Sequence, residues 1–167
     1  MVMHPLAEQI QAKFPDVPFQ VVEWRGDLAV TVKREYLLRV ATYLHNDPAM
    51  DFDYIVHVSS VDWPEDDERF EVVWEFYSIR KRHRIRLKTR TPESDCEVES
   101  LCSLWRGANY MEREVYDMMG IRFRNHPDLR RILMPDDYTE GYTLRKDFPL
   151  QGKGWLDTFE FLDETVR

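Results

Sequence analysis

The side chains best suited to chemistry crowd into one stretch, from Glu112 to Phe148. It opens with Glu112, Arg113, Glu114 and Asp117 and passes through His126, Arg130, Arg131, Leu133, Met134, Asp136 and Asp137. It closes on Arg145, Lys146, Asp147 and Phe148. Guanidinium groups and carboxylates in this density suit bidentate recognition of opposite charges. No nucleophile, base and oxyanion donor stand together, as bond-making chemistry would require. Asp62 and His57 could be read as an acid–base pair, but five residues apart on a regular strand they point to opposite faces. His126, just before Pro127, suits a hydrogen bond that orients the chain. No second metal ligand lies beside it at a plausible spacing. The expectation is a recognition surface, with no catalytic, cofactor-binding or metal-binding residue.

The stretch has an unusual texture for such a surface. Its apolar residues, Ile121, Phe123, Leu129, Ile132, Leu133 and Met134, come in runs too short to form a core and are set among Arg122, Arg124, Arg130 and Arg131. It is also too rich in large apolar residues to be disordered. Long segments of this kind tend to be functional and often order against a partner. Arginine beside aliphatic anchors is the composition of an interface.

Several elements must position it. Leu6, Ile10 and Phe14 recur at helical spacing and Pro15 stops the run, predicting a first helix. Phe19 to Trp24 and Leu28 to Val32 read as strands joined at Arg25-Gly26-Asp27, a tripeptide better explained as a tight turn than as an integrin ligand. Arg34 to His45 carries Leu37, Leu38, Val40, Ala41 and Leu44 at helical spacing. Asp53 to Val61, Phe70 to Ile79 and Arg84 to Arg90 follow as a β-meander. With a loop centred on Lys81 and Arg82, Ser78 faces Ile85, Phe76 faces Leu87 and Trp74 faces Thr89. Glu75 then meets Lys88, and Tyr77 meets Arg86.

That register bears on the basic run Arg80 to Arg90. As a motif the run suggests nucleic acid. As a strand it is one polar face, with Glu71 and Glu75 available opposite and Ile85 and Leu87 turned inward. Ser94 with Glu97 is a capping box, predicting a helix from about Asp95 whose stripe is Val98, Leu101, Cys102 and Trp105. Asn109 with Glu112 predicts a second, closed by Gly120, with Met111, Val115 and Met118 inward. On that helix Glu112 and Glu114 favour the helix dipole, and Arg113 and Asp117 are spaced to pair along an exposed face.

The totals narrow the class. The chain has 167 residues and a net charge of −8, which argues against nucleic acid or an anionic membrane as a general partner. Cys96 and Cys102 are its only cysteines, too few for an ordinary iron–sulfur cluster and more consistent with a reducing compartment than a disulfide framework. No apolar run approaches a membrane span. Met1 to Gln11 contains Glu8 and no arginine, unlike a transit peptide.

One further pattern lies in the same residues. Glu112-Arg113-Glu114, Asp117-Met118-Met119, His126, Arg130 and Ile132-Leu133, in that spacing, resemble the signature of the thirty-kilodalton subunit family of respiratory complex I, the C-type subunit of bacterial NADH-quinone oxidoreductases. Leu133-Met134-Pro135-Asp136-Asp137, Leu144 to Pro149, and the phrase from Tyr77 to Leu87 are similar to the family's flanking segments. The family often has Gly-His-Pro or Gly-Trp-Pro where this chain has Gly141-Tyr142-Thr143, and some bacteria fuse the subunit to the next. The resemblance implies a non-catalytic structural subunit of the peripheral arm of an NADH:quinone oxidoreductase. It would bear none of the FMN, iron–sulfur clusters, NADH or quinone that other subunits bind. Its partners would be the quinone-site subunit (the forty-nine-kilodalton, or D, type) and neighbouring iron–sulfur subunits. It would meet the membrane only indirectly, on the cytoplasmic side of the bacterial inner membrane. Homologous subunits of ferredoxin-dependent complexes and membrane-bound hydrogenases are the nearest alternative, and a nucleic-acid-binding protein using the basic hairpin is the alternative from another class.

The fold expected is α+β, a small mixed or antiparallel sheet with flanking helices over residues 1–120, followed by an extended arm over 121–167 that wraps a partner. The interface expected comprises Glu112, Arg113, Glu114, Asp117, His126, Arg130, Arg131, Leu133, Met134, Asp136, Asp137, Arg145, Lys146, Asp147 and Phe148. Arg130, Arg131, Arg145 and Lys146 would pair with the partner's charges, while Leu133, Met134 and Phe148 anchor it.

Overall fold

The computed structural model describes residues 4–150, so the expected arm over 151–167 lies outside the described residues. Helix α1, Pro5–Lys13, starts where His4 accepts a hydrogen bond from the Leu6 amide and Pro5 occupies the first turn, and it buries Leu6, Ala7 and Ile10. Strands β1, Gln20–Trp24, and β2, Asp27–Thr31, join through Arg25 and Gly26, both at positive φ (51° and 85°). A two-residue turn of that hand matches the twist of the strands, so Arg-Gly-Asp is this turn. Helix α2, Arg34–Asn46, presents Leu37, Val40, Ala41 and Leu44 as one fully buried stripe.

The meander is β3, Tyr54–Asp62, β4, Phe70–Ser78, and β5, His83–Thr91. The sheet runs β1-β2-β5-β4-β3, parallel only between β2 and β5, and α2 carries the chain from β2 to β3 at the far edge. One row shows how the core is made. Val30, Leu87, Trp74 and Val58 lie opposite one another across four strands, all buried and all on the face that meets the helices. The opposite face carries Glu71, Glu75, Arg86 and Lys88. The fold is α+β with a mixed sheet and flanking helices, as its element pattern predicts.

Three local expectations are corrected. The β4–β5 hairpin is shifted by two residues: Phe76 faces Ile85, Trp74 faces Leu87, Glu75 faces Arg86 and Tyr77 faces Arg84. A two-residue shift preserves which side chains face inward, so periodicity could not detect it. The turn decides, since the amides of Arg82 and Lys81 bond back to the Ser78 carbonyl and hydroxyl, and Arg82 takes a left-handed φ of 57°.

The helix expected from Asp95 does not form. Glu93–Asp95 is a single 3-10 turn, and Glu97–Glu99 is strand β6, paired in parallel with β7, Arg122–Arg124. Val98 and Phe123 meet as the buried pair of that ladder. The local helical stripe was outweighed by a strand partner more than twenty residues away. Helix α3, Ala108–Met119, begins after Gly107 with no side-chain cap, one residue before the Asn109 that was expected to cap it. Ile121 and Phe123, just after α3, are core residues.

Candidate partner-binding site

Helix α3 is not the exposed amphipathic helix its pattern predicts. Glu112, Arg113 and Asp117 are buried along with Val115 and Met118, while Glu114 faces solvent. Buried ionisable groups need partners, and each has its own. Arg113 and Asp117 do not pair with each other. Arg113 donates from Nε to the Arg130 carbonyl (3.1 Å) and from Nη2 to the Arg131 carbonyl (3.0 Å). Asp117 Oδ2 accepts the amides of Ile132, Leu133 and Met134 at 3.0, 2.8 and 2.8 Å, while Oδ1 accepts Arg131 Nη1 at 2.9 Å. Burial alone would raise the Asp117 pKa, but the three amides and Arg131 outweigh it and hold it below the usual carboxylate range. The segment 130–134 is thus folded around one carboxylate.

Glu112 is fully buried. It accepts Ser100 Oγ (2.6 Å) and the Leu101 amide (2.9 Å), with Cys102 Sγ and Trp74 Nε1 farther off at 3.3 and 3.4 Å. Desolvation raises its pKa against the pull of these donors. His126, half-buried, accepts the Asp128 amide at Nδ1 and bonds the Asn109 carbonyl through Nε2, which makes it a positioning residue for the turn after β7. Cys102 and Glu112 stand near it in space although neither is near it in a metal-ligand spacing along the chain.

A second latch holds residues 142–148. Asp62 and Arg69 form a buried bidentate pair, Nε–Oδ1 2.7 Å and Nη2–Oδ2 2.9 Å. The Arg69 hydrogen bonds lower the Asp62 pKa, and Asp62 in turn accepts the Lys146 amide at 2.7 Å. Arg69 also reaches Glu93 (2.9 Å) and Asp147 (3.0 Å). Arg145 lies between the rings of Phe70 and Tyr142, 4.6 and 4.5 Å from their centroids, and donates to the Met119 carbonyl and Glu93. Tyr142 fits because position 120 is glycine, at φ 77°, where a Cβ would come within 2.4 Å of the ring. Asp62 therefore works as an anchor. His57 pairs with Glu75 in register on the other sheet face and plays no part with it.

The expected interface residues separate into two groups. Glu112, Arg113, Asp117, His126, Arg131, Arg145 and Asp147 are engaged within the chain. Arg131 and Arg145, expected to pair with a partner's charges, bond to Asp117 and to Glu93 and the Met119 carbonyl within the chain. Outward are Glu114, Arg130, Asp136, Asp137, the Lys146 side chain and Leu133, at 58% exposure, while Met134 packs against the core and Phe148 is half-buried. Arg130 meets only the equally exposed Asp128, at 2.9 Å. The latch residues Asp62, Arg69, Glu93, Gly120 and Tyr142 were missed from sequence. The one signal was an Asp at the inward-facing end of a strand.

Three charges of the basic run that lie on β5 are met locally. Arg86 faces Glu75 and Asp27, Lys88 faces Glu71, and Arg90 faces Asp66 and Glu71.

Comparison with known proteins identifies the family. Residues 30–154 match the family model described as respiratory-chain NADH dehydrogenase, 30 Kd subunit. The chain belongs to that family. The C-type subunit of the NADH-quinone oxidoreductase of Geobacter metallireducens is 44% identical over 87% of this chain and 89% of its own. Its counterpart in Roseiflexus sp. RS-1 is 45% identical over 91% and 87%. Among solved structures, the trypsin-resistant fragment (1-134) of Nqo5 superposes with a TM-score of 0.64 at 31% identity, covering 74% of this chain and 96% of that one. A chain of an archaeal membrane-bound sulfane sulfur reductase shares the fold, with a TM-score of 0.68 at 22% identity over 96% and 89%. The chain is thus of the kind found as a subunit of respiratory complexes. No helix among the described residues is long and apolar enough to cross a membrane.

Proposed function

We propose that this chain is a non-catalytic structural subunit of the peripheral arm of a proton-translocating NADH:quinone oxidoreductase. It would hold the quinone-site subunit against neighbouring iron–sulfur subunits on the cytoplasmic side of a bacterial inner membrane. FMN and the iron–sulfur clusters would belong to other subunits. The observation that carries the reading is the disposition of α3 and the segment it holds. Buried Asp117 and Arg113 spend their hydrogen bonds on the backbone of residues 130–134. That fixes Arg130 and Leu133 outward on a rigid base, the combination of charge and apolar anchor typical of an interface.

The test is affinity purification of the tagged chain from gently solubilised host membranes. NADH:quinone reductase activity and iron–sulfur absorbance should co-purify. The double variant Arg130→Ala/Leu133→Ala should lower complex yield while leaving the melting temperature of the isolated chain nearly unchanged. A cluster-bearing complex that ignores NADH would keep the structural role and change the machine. A chain that emerges alone and colourless from intact membranes would overturn the reading.

A further inference from the structure

We propose that Cys102, Glu112 and His126 form a binding site for one zinc-type divalent cation. A thiol sulfur, a carboxylate oxygen and a ring nitrogen lie within 4.8 Å of one another. They come from three separate places: the loop after β6, helix α3 and the turn after β7. Sulfur, oxygen and nitrogen donors together suit a borderline-soft ion such as zinc and are a poor match for magnesium or calcium.

The other buried acids single this cluster out. Asp62 faces Arg69, Glu71 faces Lys88 and Arg90, and Asp117 faces Arg131. Glu112, at 0% exposure, has no cationic side chain in ion-pair range among the described residues. Its donors are a hydroxyl, an amide, an indole N–H and the Cys102 thiol. A metal ion would supply the positive charge that the other three receive from arginine or lysine.

Binding would break the Cys102 S–H bond now directed at Glu112 and form a sulfur–metal bond. The proton leaves to solvent and no electrons are transferred. Zinc bonds of about 2.0–2.3 Å set tetrahedral ligand atoms roughly 3.3–3.8 Å apart, so the three side chains must close by about an ångström. His126 is the member able to move. It is half-buried on the turn beginning at Asn125, and it would exchange one of two hydrogen bonds, to the Asn109 carbonyl (3.1 Å) or from the Asp128 amide (3.0 Å), for the metal. A water from that side would complete the coordination.

The experiment uses the full chain, freed of metal with a chelator and titrated with cobalt(II), then with zinc in competition. One equivalent of cobalt should produce a thiolate-to-cobalt charge-transfer band, and zinc should abolish it. Cys102→Ser should remove the band, Cys96→Ser should leave it, and His126→Ala should weaken zinc by about 100-fold or more, given what loss of even an outer-shell partner can cost. Circular dichroism establishes that each variant is folded; the near-isosteric serine and the half-buried histidine position keep the test usable. Absence of the band at stoichiometric cobalt overturns the proposal. So does zinc affinity that Cys102→Ser and His126→Ala leave unchanged, or a band lost with Cys96→Ser.

Discussion

Ionised groups do different work on the open face of the sheet and behind helix α3. On the sheet, Arg86 on β5 reaches to Glu75 on β4 and Asp27 on β2, at partly exposed positions where water competes. Behind α3, Asp117 is 1% exposed and accepts three consecutive amides and a guanidinium. Surface pairs are individually weak, whereas breaking a buried one leaves an uncompensated charge or orphaned amides. The sheet face therefore tolerates substitution, and the groups behind α3 should not. Burial sets the consequence.

The largest expected effect is at Asp117. Asp117→Ala orphans three amides and Arg131 and should cost about 3–5 kcal/mol in urea unfolding, the usual range for breaking a buried pair; a loss under about 1 kcal/mol would place Asp117 with the sheet-face pairs.

Acid should reproduce part of that loss. The folded pKa of Asp117 lies below its unfolded value of about 3.9, so the unfolded chain takes up the proton first. The carboxylate's stabilisation is complete above that value and is lost as pH falls through it towards the lower, folded pKa. Asp62, lowered chiefly by Arg69, adds in the same direction. Unfolding measured from pH 6 to 2 should therefore show a steeper acid decline for the parent chain than for Asp117→Asn, and parallel curves would deny the latch its ionised form.

Gly120→Ala should come next, at about 1–3 kcal/mol, because it combines a left-handed φ with a Cβ directed into the Tyr142 ring. Hydrogen exchange would show it as loss of protection at the Leu144 and Lys146 amides, which bond Met118 and Asp62. Unchanged protection there would mean that Tyr142 does not hold the segment.

The smallest effect is expected on the sheet. Arg86→Ala removes a 3.3 Å pair with Glu75 and a 3.1 Å pair with Asp27, all partly exposed, and should cost no more than about 1 kcal/mol, part of which high salt should erase in the parent chain. A cost as large as that of Asp117→Ala would end the distinction between the two regions.

What could be read from the chain follows the same division. The helices α1 and α2, the β1–β2 turn and the order of the meander are local statements: apolar residues at a period of 3.6 or 2, broken by Pro, Gly or Asn. Their inward faces, such as Leu37-Val40-Ala41-Leu44 and Phe76-Trp74, emerged correctly because burying them is what drives folding. The β4–β5 register escaped by two residues because a two-residue shift leaves every face intact.

The sequence by itself determined the family, through the spacing of Glu112 to Leu133, and it determined that a charged, apolar-studded segment follows α3. Only the tertiary structure decided which of those charges face outward. Carboxylates in solvent and carboxylates under a loop are written with the same letter. Their roles separate once packing removes water, as it does around Asp117, Asp62 and Glu112, because a desolvated charge must find donors wherever the chain supplies them. For Asp117 and Asp62 those donors are backbone amides of residues 132–134 and 146 together with arginines, contacts that span 7 to 84 residues and have no periodic trace in the sequence.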